Sequence, residues 1–156
     1  MATWHEVETQ APELAAQVRA LLDPALGAAK HKTIATLRSD GSPRISGIEC
    51  TFVDGELTFG SMPGARKVAD LHRDPRFALH SATVDPPDDA PQRWPGEAKV
   101  AGLAEPTGPL PGDGPPGEGF RADLHEVVWT HLDASGEQLV VEHWHTGRGV
   151  ERVVRG

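Results

Sequence analysis

The stretch Gly60-Ser-Met-Pro-Gly-Ala-Arg-Lys67 has the residue types and spacing to bind a phosphate. A strand ends in small and hydroxyl residues, and a helix follows that begins with two adjacent cations. Main-chain N–H groups at a helix start point toward an anion. Ser61 can donate a further hydrogen bond, and Arg66 with Lys67 offers a planar fork beside a point charge. An Arg-Lys pair at a helix start is also a common solvated surface feature, so spacing alone leaves both readings open.

Other chemistry-bearing residues are less informative. His143-Trp-His145 puts two imidazoles on one face of a strand. A metal cupin would need a suitably spaced carboxylate and a distant histidine in a second motif. Glu151 lies too far on and the Gly-rich flanks do not match, so no metal site is expected. His80, His125 and His131 follow no spacing logic and read as strand or surface histidines. Cys50 is the single cysteine; it can form no internal disulfide and reads as a buried strand thiol. No triad-like cluster is visible.

The elements that would position the phosphate motif are legible from periodicity and turn chemistry. Leu14, Val18, Leu21 and Leu22 fall at helical spacing behind Pro12, predicting a helix over about residues 11–23 that Asp23-Pro24 ends. Thr33–Arg38 and Pro43–Phe52 read as a hairpin around Ser39-Asp-Gly-Ser42, and Asp54-Gly55 turns the chain into a third strand, Glu56–Gly60. Ala65–Arg73 is a short helix stopped by Asp74-Pro75. Arg76–Thr83 and Glu97–Glu105 are strands on either side of a Pro- and Asp-rich excursion over 84–95. Residues 108–119 are almost wholly Gly, Pro and acid, which predicts a flexible surface loop. Phe120–Leu132 and Glu137–His145 form a last hairpin around Asp133-Ala-Ser-Gly136. Six to seven antiparallel strands with flanking helices fit a mainly β (α+β) domain closed into a small barrel, with residues 1–156 as one unit.

Composition bounds the function. With 38% apolar and 24% charged residues, the 156-residue chain has an ordinary globular composition, and its 17 Gly and 14 Pro imply many turns. The formal charge of −8 leaves no global basic field, so neither nucleic acid nor an anionic membrane is an expected partner. No stretch approaches the roughly 20 apolar residues of a membrane-spanning helix. Glu6, Glu8 and Glu13 stand where a secretory signal would be basic and apolar, so the cytoplasm is the expected location.

The ordered set Ser39-Asp-Gly-Ser-Pro43, Asp54-Gly55, Gly60-Ser61, Arg66-Lys67 and Asp74-Pro-Arg76 resembles the pyridoxamine 5′-phosphate oxidase-like, FMN-binding split β-barrel family. The similarity runs from about Thr33 through Ala104 and continues more loosely through Asp123-Leu-His-Glu-Val-Val128 to Trp144 and Gly147. The resemblance implies a homodimer that holds FMN, or a deazaflavin coenzyme, in a groove between subunits. It assigns the cofactor phosphate to Gly60, Ser61, Arg66 and Lys67. It lays the ring along the second strand, beside main-chain groups of Ile48, Glu49 and Cys50. It makes Trp144 and Arg148 candidates for reaching the ring from the C-terminal strand. A carboxylate at Glu49 near a reduced flavin is unfavourable unless it faces solvent or pairs with Arg44. The family's full-length oxidase closes on a substrate-gripping Arg-x-His after its tryptophan. Here the chain reads Trp144-His-Thr-Gly-Arg148-Gly-Val150, so a true pyridoxamine 5′-phosphate oxidase is not expected. The implied activity is hydride transfer to or from a small organic substrate. The alternative is a non-catalytic module holding flavin, or haem as some relatives of this barrel do.

Overall fold

Asp54 and Gly55 both adopt positive φ, 50° and 77°, the conformation of a two-residue turn whose twist matches the strands it joins. That turn fixes the register of β2 (Pro43–Val53) against β3 (Glu56–Ser61). The preceding hairpin, β1 (His31–Leu37) to β2, closes through Asp40, whose carboxylate accepts from Ser42 N at 2.9 Å. The computed structural model describes residues 1–156, and the remaining strands are β4 (Arg76–His80), β5 (Glu97–Pro109), β6 (Glu118–Leu132), β7 (Leu139–His145) and β8 (Gly149–Arg155). All pairings are antiparallel, in the order β3-β2-β1-β4-β5-β6-β7-β8, and a further β3–β6 ladder closes the first six strands into a barrel.

β6 carries both halves of this architecture. Its first residues pair with β3, while Glu126–Leu132 pair with β7, so β7 and β8 continue the sheet beyond the barrel wall. A register shift in the β5–β6 ladder at Ala101/Gly102 accompanies the departure. Gly102 is obligatory there, because a Cβ would stand 1.9 Å from Asp123 O.

Alternation along the strands puts Ile34, Leu57, Phe59, Phe77, Leu79, Val100 and Phe120 inside. Phe59 sits against Phe77 and Phe120 with ring centroids 5.1 and 5.9 Å away. Helices α1 (Trp4–Gln10) and α2 (Pro12–Leu22) bury Trp4, Val7, Leu14, Val18 and Leu22 in the same core. The third helix, α3 (Arg66–Arg73), packs on β1.

The structure extends the sequence reading in three places. Helix α1 was unforeseen, although Thr3 caps it by accepting from Glu6 N, a Thr-x-x-Glu signal visible in the sequence. Strand β8 was also unforeseen, because Val153-Val154 breaks the alternation that marks a half-buried strand. The segment expected as a loop over 108–119 narrows to residues 110–117. β5 runs to Pro109 and β6 starts at Glu118, and Leu110 N bonds Gly117 O at 2.9 Å. The closing β3–β6 ladder, with Ser61 opposite Glu118, imposes strand geometry on residues whose composition argues against it. The excursion over 84–95 is held by two indoles: Trp94 Nε1 donates to Val84 O at 2.6 Å and Trp129 Nε1 to Pro95 O at 2.9 Å. No helix is long and apolar enough to cross a membrane.

Candidate functional site

β2 changes partner at Glu49. Residues 43–49 pair with β1, while 49–53 pair with β3. On the β3 side, the main chain at Gly47 and Ile48 therefore has no ladder partner. A cavity of about 390 Å³ opens there, lined by His31, Gly47, Ile48, Glu49, Gly60, Ser61, Met62, Ala65 and Lys67. It brings together five of the nine residues expected at a cofactor site: Gly60, Ser61, Lys67, Ile48 and Glu49.

Ser61 is 9% exposed, and its Oγ is buried without a hydrogen-bond partner. Buried hydroxyls are normally satisfied, so this one marks a donor available to a ligand. The first turn of α3 is uncapped by any side chain, Ala65 being its N-cap; Ala65 N and Val68 N donate to Met62 O and Ala65 O, so the N–H groups of Arg66 and Lys67 are the ones left at the helix start.

Arg66 and Lys67 part company. Adjacent helical residues are separated by about 100° around the axis, and Lys67 alone lines the Ser61 cavity. Arg66 lines a second cavity of about 360 Å³ with Arg38, Ser39, Arg44, Asp70 and Arg73. Sequence reasoning did not single out this arginine cluster, whose members come from a turn, a strand and a helix. At its centre Asp70, 2% exposed, accepts from Thr36 Oγ1 at 2.7 Å, Arg44 Nε at 2.8 Å and Arg73 Nη2 at 2.9 Å. Burial pushes its pKa up, and those hydrogen bonds more than reverse the effect, so Asp70 titrates below the usual aspartate range.

Glu49 does not pair with Arg44, which is committed to Asp70. Its carboxylate is exposed and lines both the Ser61 cavity and an adjoining one of about 410 Å³, walled by Thr51, Thr58, Thr107, Leu110 and Gly119. The two cavities share Glu49 and Gly60 and form one groove along the outside of β2 and β3. His31 stands directly across the ladder from Glu49; no signal in the sequence pointed to it.

The remaining expected residues lie elsewhere. Cys50 is 1% exposed, its Sγ reaches Leu22 O at 3.5 Å, and its main chain is paired with Phe59. Burial pushes its thiol pKa up to about 11. Trp144 is 1% exposed beneath α1, where Nε1 donates to Gln10 Oε1 at 3.0 Å, so within the chain it is a core residue and not a groove residue. Arg148 sits in the β7–β8 turn, away from the groove of its own chain.

No family model matches the sequence, and no curated protein does either. Solved structures do match. A pyridoxamine 5′-phosphate oxidase-related, FMN-binding protein from Nostoc punctiforme aligns over 100% of this chain and 98% of its own, with a TM-score of 0.63 at 12% identity. The chain has the split β-barrel fold. PhzG from Burkholderia lata, solved with tetrahydrophenazine-1-carboxylic acid, shares the split barrel over 80% of this chain and 81% of its own, with a TM-score of 0.61 at 12% identity. A heme-binding protein from Mycobacterium smegmatis shares it over 90% and 88%, with a TM-score of 0.51 at 15% identity. The split barrel of six to seven strands expected from the sequence closes with six, and β7 and β8 extend its sheet.

Proposed function

We propose that the groove along β2 and β3 binds an FMN-type cofactor and that the protein is a flavin-dependent oxidoreductase acting on a small organic substrate. The observation that carries this reading is the break in the β2 ladder. It leaves the β3-side edge of β2 at Gly47 and Ile48 without a neighbouring strand, on the wall of the cavity that also holds the unpartnered Ser61 hydroxyl and Lys67. An orphan hydroxyl, a free cation and an uncapped helix start suit a phosphate, and open strand N–H and C=O groups suit the edge of a flat heterocycle. The FMN-binding Nostoc protein with the same fold supports the reading.

When bound, the cofactor would supply the hydride chemistry. The chain's own part is to hold and orient. Lys67 and Ser61 would fix the phosphate, the Gly47–Ile48 edge would set the ring's direction, and Thr51, Thr58 and Leu110 would line the space for a second ligand. Because the groove is open on one side, a second copy of the chain would cover the ligand, as expected of a cytoplasmic homodimer. A deazaflavin coenzyme presents the same phosphate and ring shape and is the alternative occupant.

Heat release of the cofactor from freshly purified protein, read by absorbance and mass, tests the proposal. Released FMN or deazaflavin supports it. A Soret band would replace it with a haem-holding module, and failure of the apoprotein to bind FMN below roughly millimolar, about 4 kcal/mol, would overturn it. Light scattering on the loaded protein tests the dimer; a monomer that retains cofactor would refute it.

A further inference from the structure

We propose that His143 and His145 form a transition-metal site of the zinc class on the sheet extension made by β6, β7 and β8. The two residues are two apart on β7 and share a face, and their Nδ1 atoms lie 3.2 Å from each other. Two imidazole nitrogens bound to one tetrahedral ion at about 2.0–2.1 Å lie roughly 3.3 Å apart. The rings thus already hold the spacing of two ligands.

A carboxylate fixes the tautomer. His145 Nε2 is 2.8 Å from Glu126 Oε2, on the neighbouring strand and directly opposite in the ladder. Donating the Nε2 hydrogen to Glu126 leaves the His145 Nδ1 lone pair toward His143, the carboxylate–histidine–metal arrangement that orients ligands and raises their basicity. Without an ion, the close approach requires the His143 Nδ1 hydrogen to lie between the rings. With an ion, His143 changes tautomer, its hydrogen moving from Nδ1 to Nε2 through solvent. Glu151 stands directly opposite His143 on β8 and faces the same side, offering an oxygen donor beside the pair. No three donors already converge on one point, so water completes the shell, and the rings, only partly buried, leave a path for entry.

Other histidines of the sheet lack this arrangement. His131 spends both nitrogens, on Glu142 at 2.7 Å and Leu132 O at 3.0 Å. His80 spends its own on Ser81 O at 2.6 Å and Glu97 at 3.5 Å.

The test is titration of the purified, chelator-treated protein with Co²⁺ by visible absorption and with Zn²⁺ by calorimetry. Wild type is expected to bind one ion per chain saturably. His143→Ala and His145→Ala are expected to lose at least tenfold in affinity, Glu126→Gln roughly 10–100-fold, and His131→Ala nothing. Circular dichroism with chelator present checks that each variant is folded, and His143→Gln and His145→Gln replace any alanine variant that is not. Absence of saturable binding by wild type, or undiminished binding by the His143→Ala/His145→Ala double variant, overturns the proposal.

Discussion

Arg44 Nε meets Asp70 Oδ2 at 2.8 Å across the end of the barrel, with Asp70 almost wholly buried. The pair ties β2 to α3, the two elements that flank the candidate phosphate site. It also leaves Glu49 without the cation that could have neutralised it.

Asp70→Asn should therefore cost about 1.5–3 kcal/mol in urea unfolding, the range for hydrogen bonds to a charged group, since the partly exposed Arg44 and Arg73 can turn to solvent. The pH dependence has a definite sign. The folded-state pKa of Asp70 is lowered, so the carboxylate contributes stability that is fully present above its unfolded value, about 3.9. That contribution is lost as pH falls through the lower folded value. Wild type should lose stability more steeply than Asp70→Asn below about pH 4. Parallel acid profiles for the two would show that Asp70 does not couple to folding.

Lys67→Ala should weaken FMN binding by about 1.5–3 kcal/mol, the range for a charge-assisted hydrogen bond. Arg66→Ala should weaken it less, since Arg66 lines the neighbouring arginine cavity. Both variants should melt within a few degrees of wild type, because both side chains start a helix at the surface. Fluorescence titration of the apoproteins gives the ranking, and a larger loss for Arg66→Ala would move the phosphate to the arginine cluster.

Glu49→Gln should tighten FMN binding by about two- to fivefold, the scale of an exposed charge interaction. Its carboxylate lines the same cavity as Lys67 and has no ion-pair partner. Weaker binding on substitution would mean that Glu49 accepts a hydrogen bond from the ligand.

Cys50 should be inert toward a disulfide reagent in the folded protein at pH 8 and should react at once in denaturant. Burial both shields the sulfur and holds its pKa near 11, so the thiolate population is small. Rapid native labelling would place the thiol at the surface and remove α2 from its cover.

Turn chemistry and alternation made much of this protein readable from sequence. Asp54-Gly55 demanded its hairpin, Asp74-Pro75 ended its helix, and the period-two pattern through Ile34, Leu57, Phe59 and Leu79 drew the barrel interior. That Gly60, Ser61 and Lys67 share one cavity was legible for the same reason, the three being near one another along the chain. Tertiary structure alone decided which side chains share a cavity. It divided Arg66 from Lys67, gathered Arg38, Arg44, Asp70 and Arg73, and sank Trp144 beneath α1. It also placed the ladder break at Glu49, which depends on where β3 ends: Gly60 is the last β3 residue to pair with β2, while Ser61 pairs only with β6. Those outcomes are set by contacts between residues dozens of positions apart, and a local pattern of types and spacings carries no record of them.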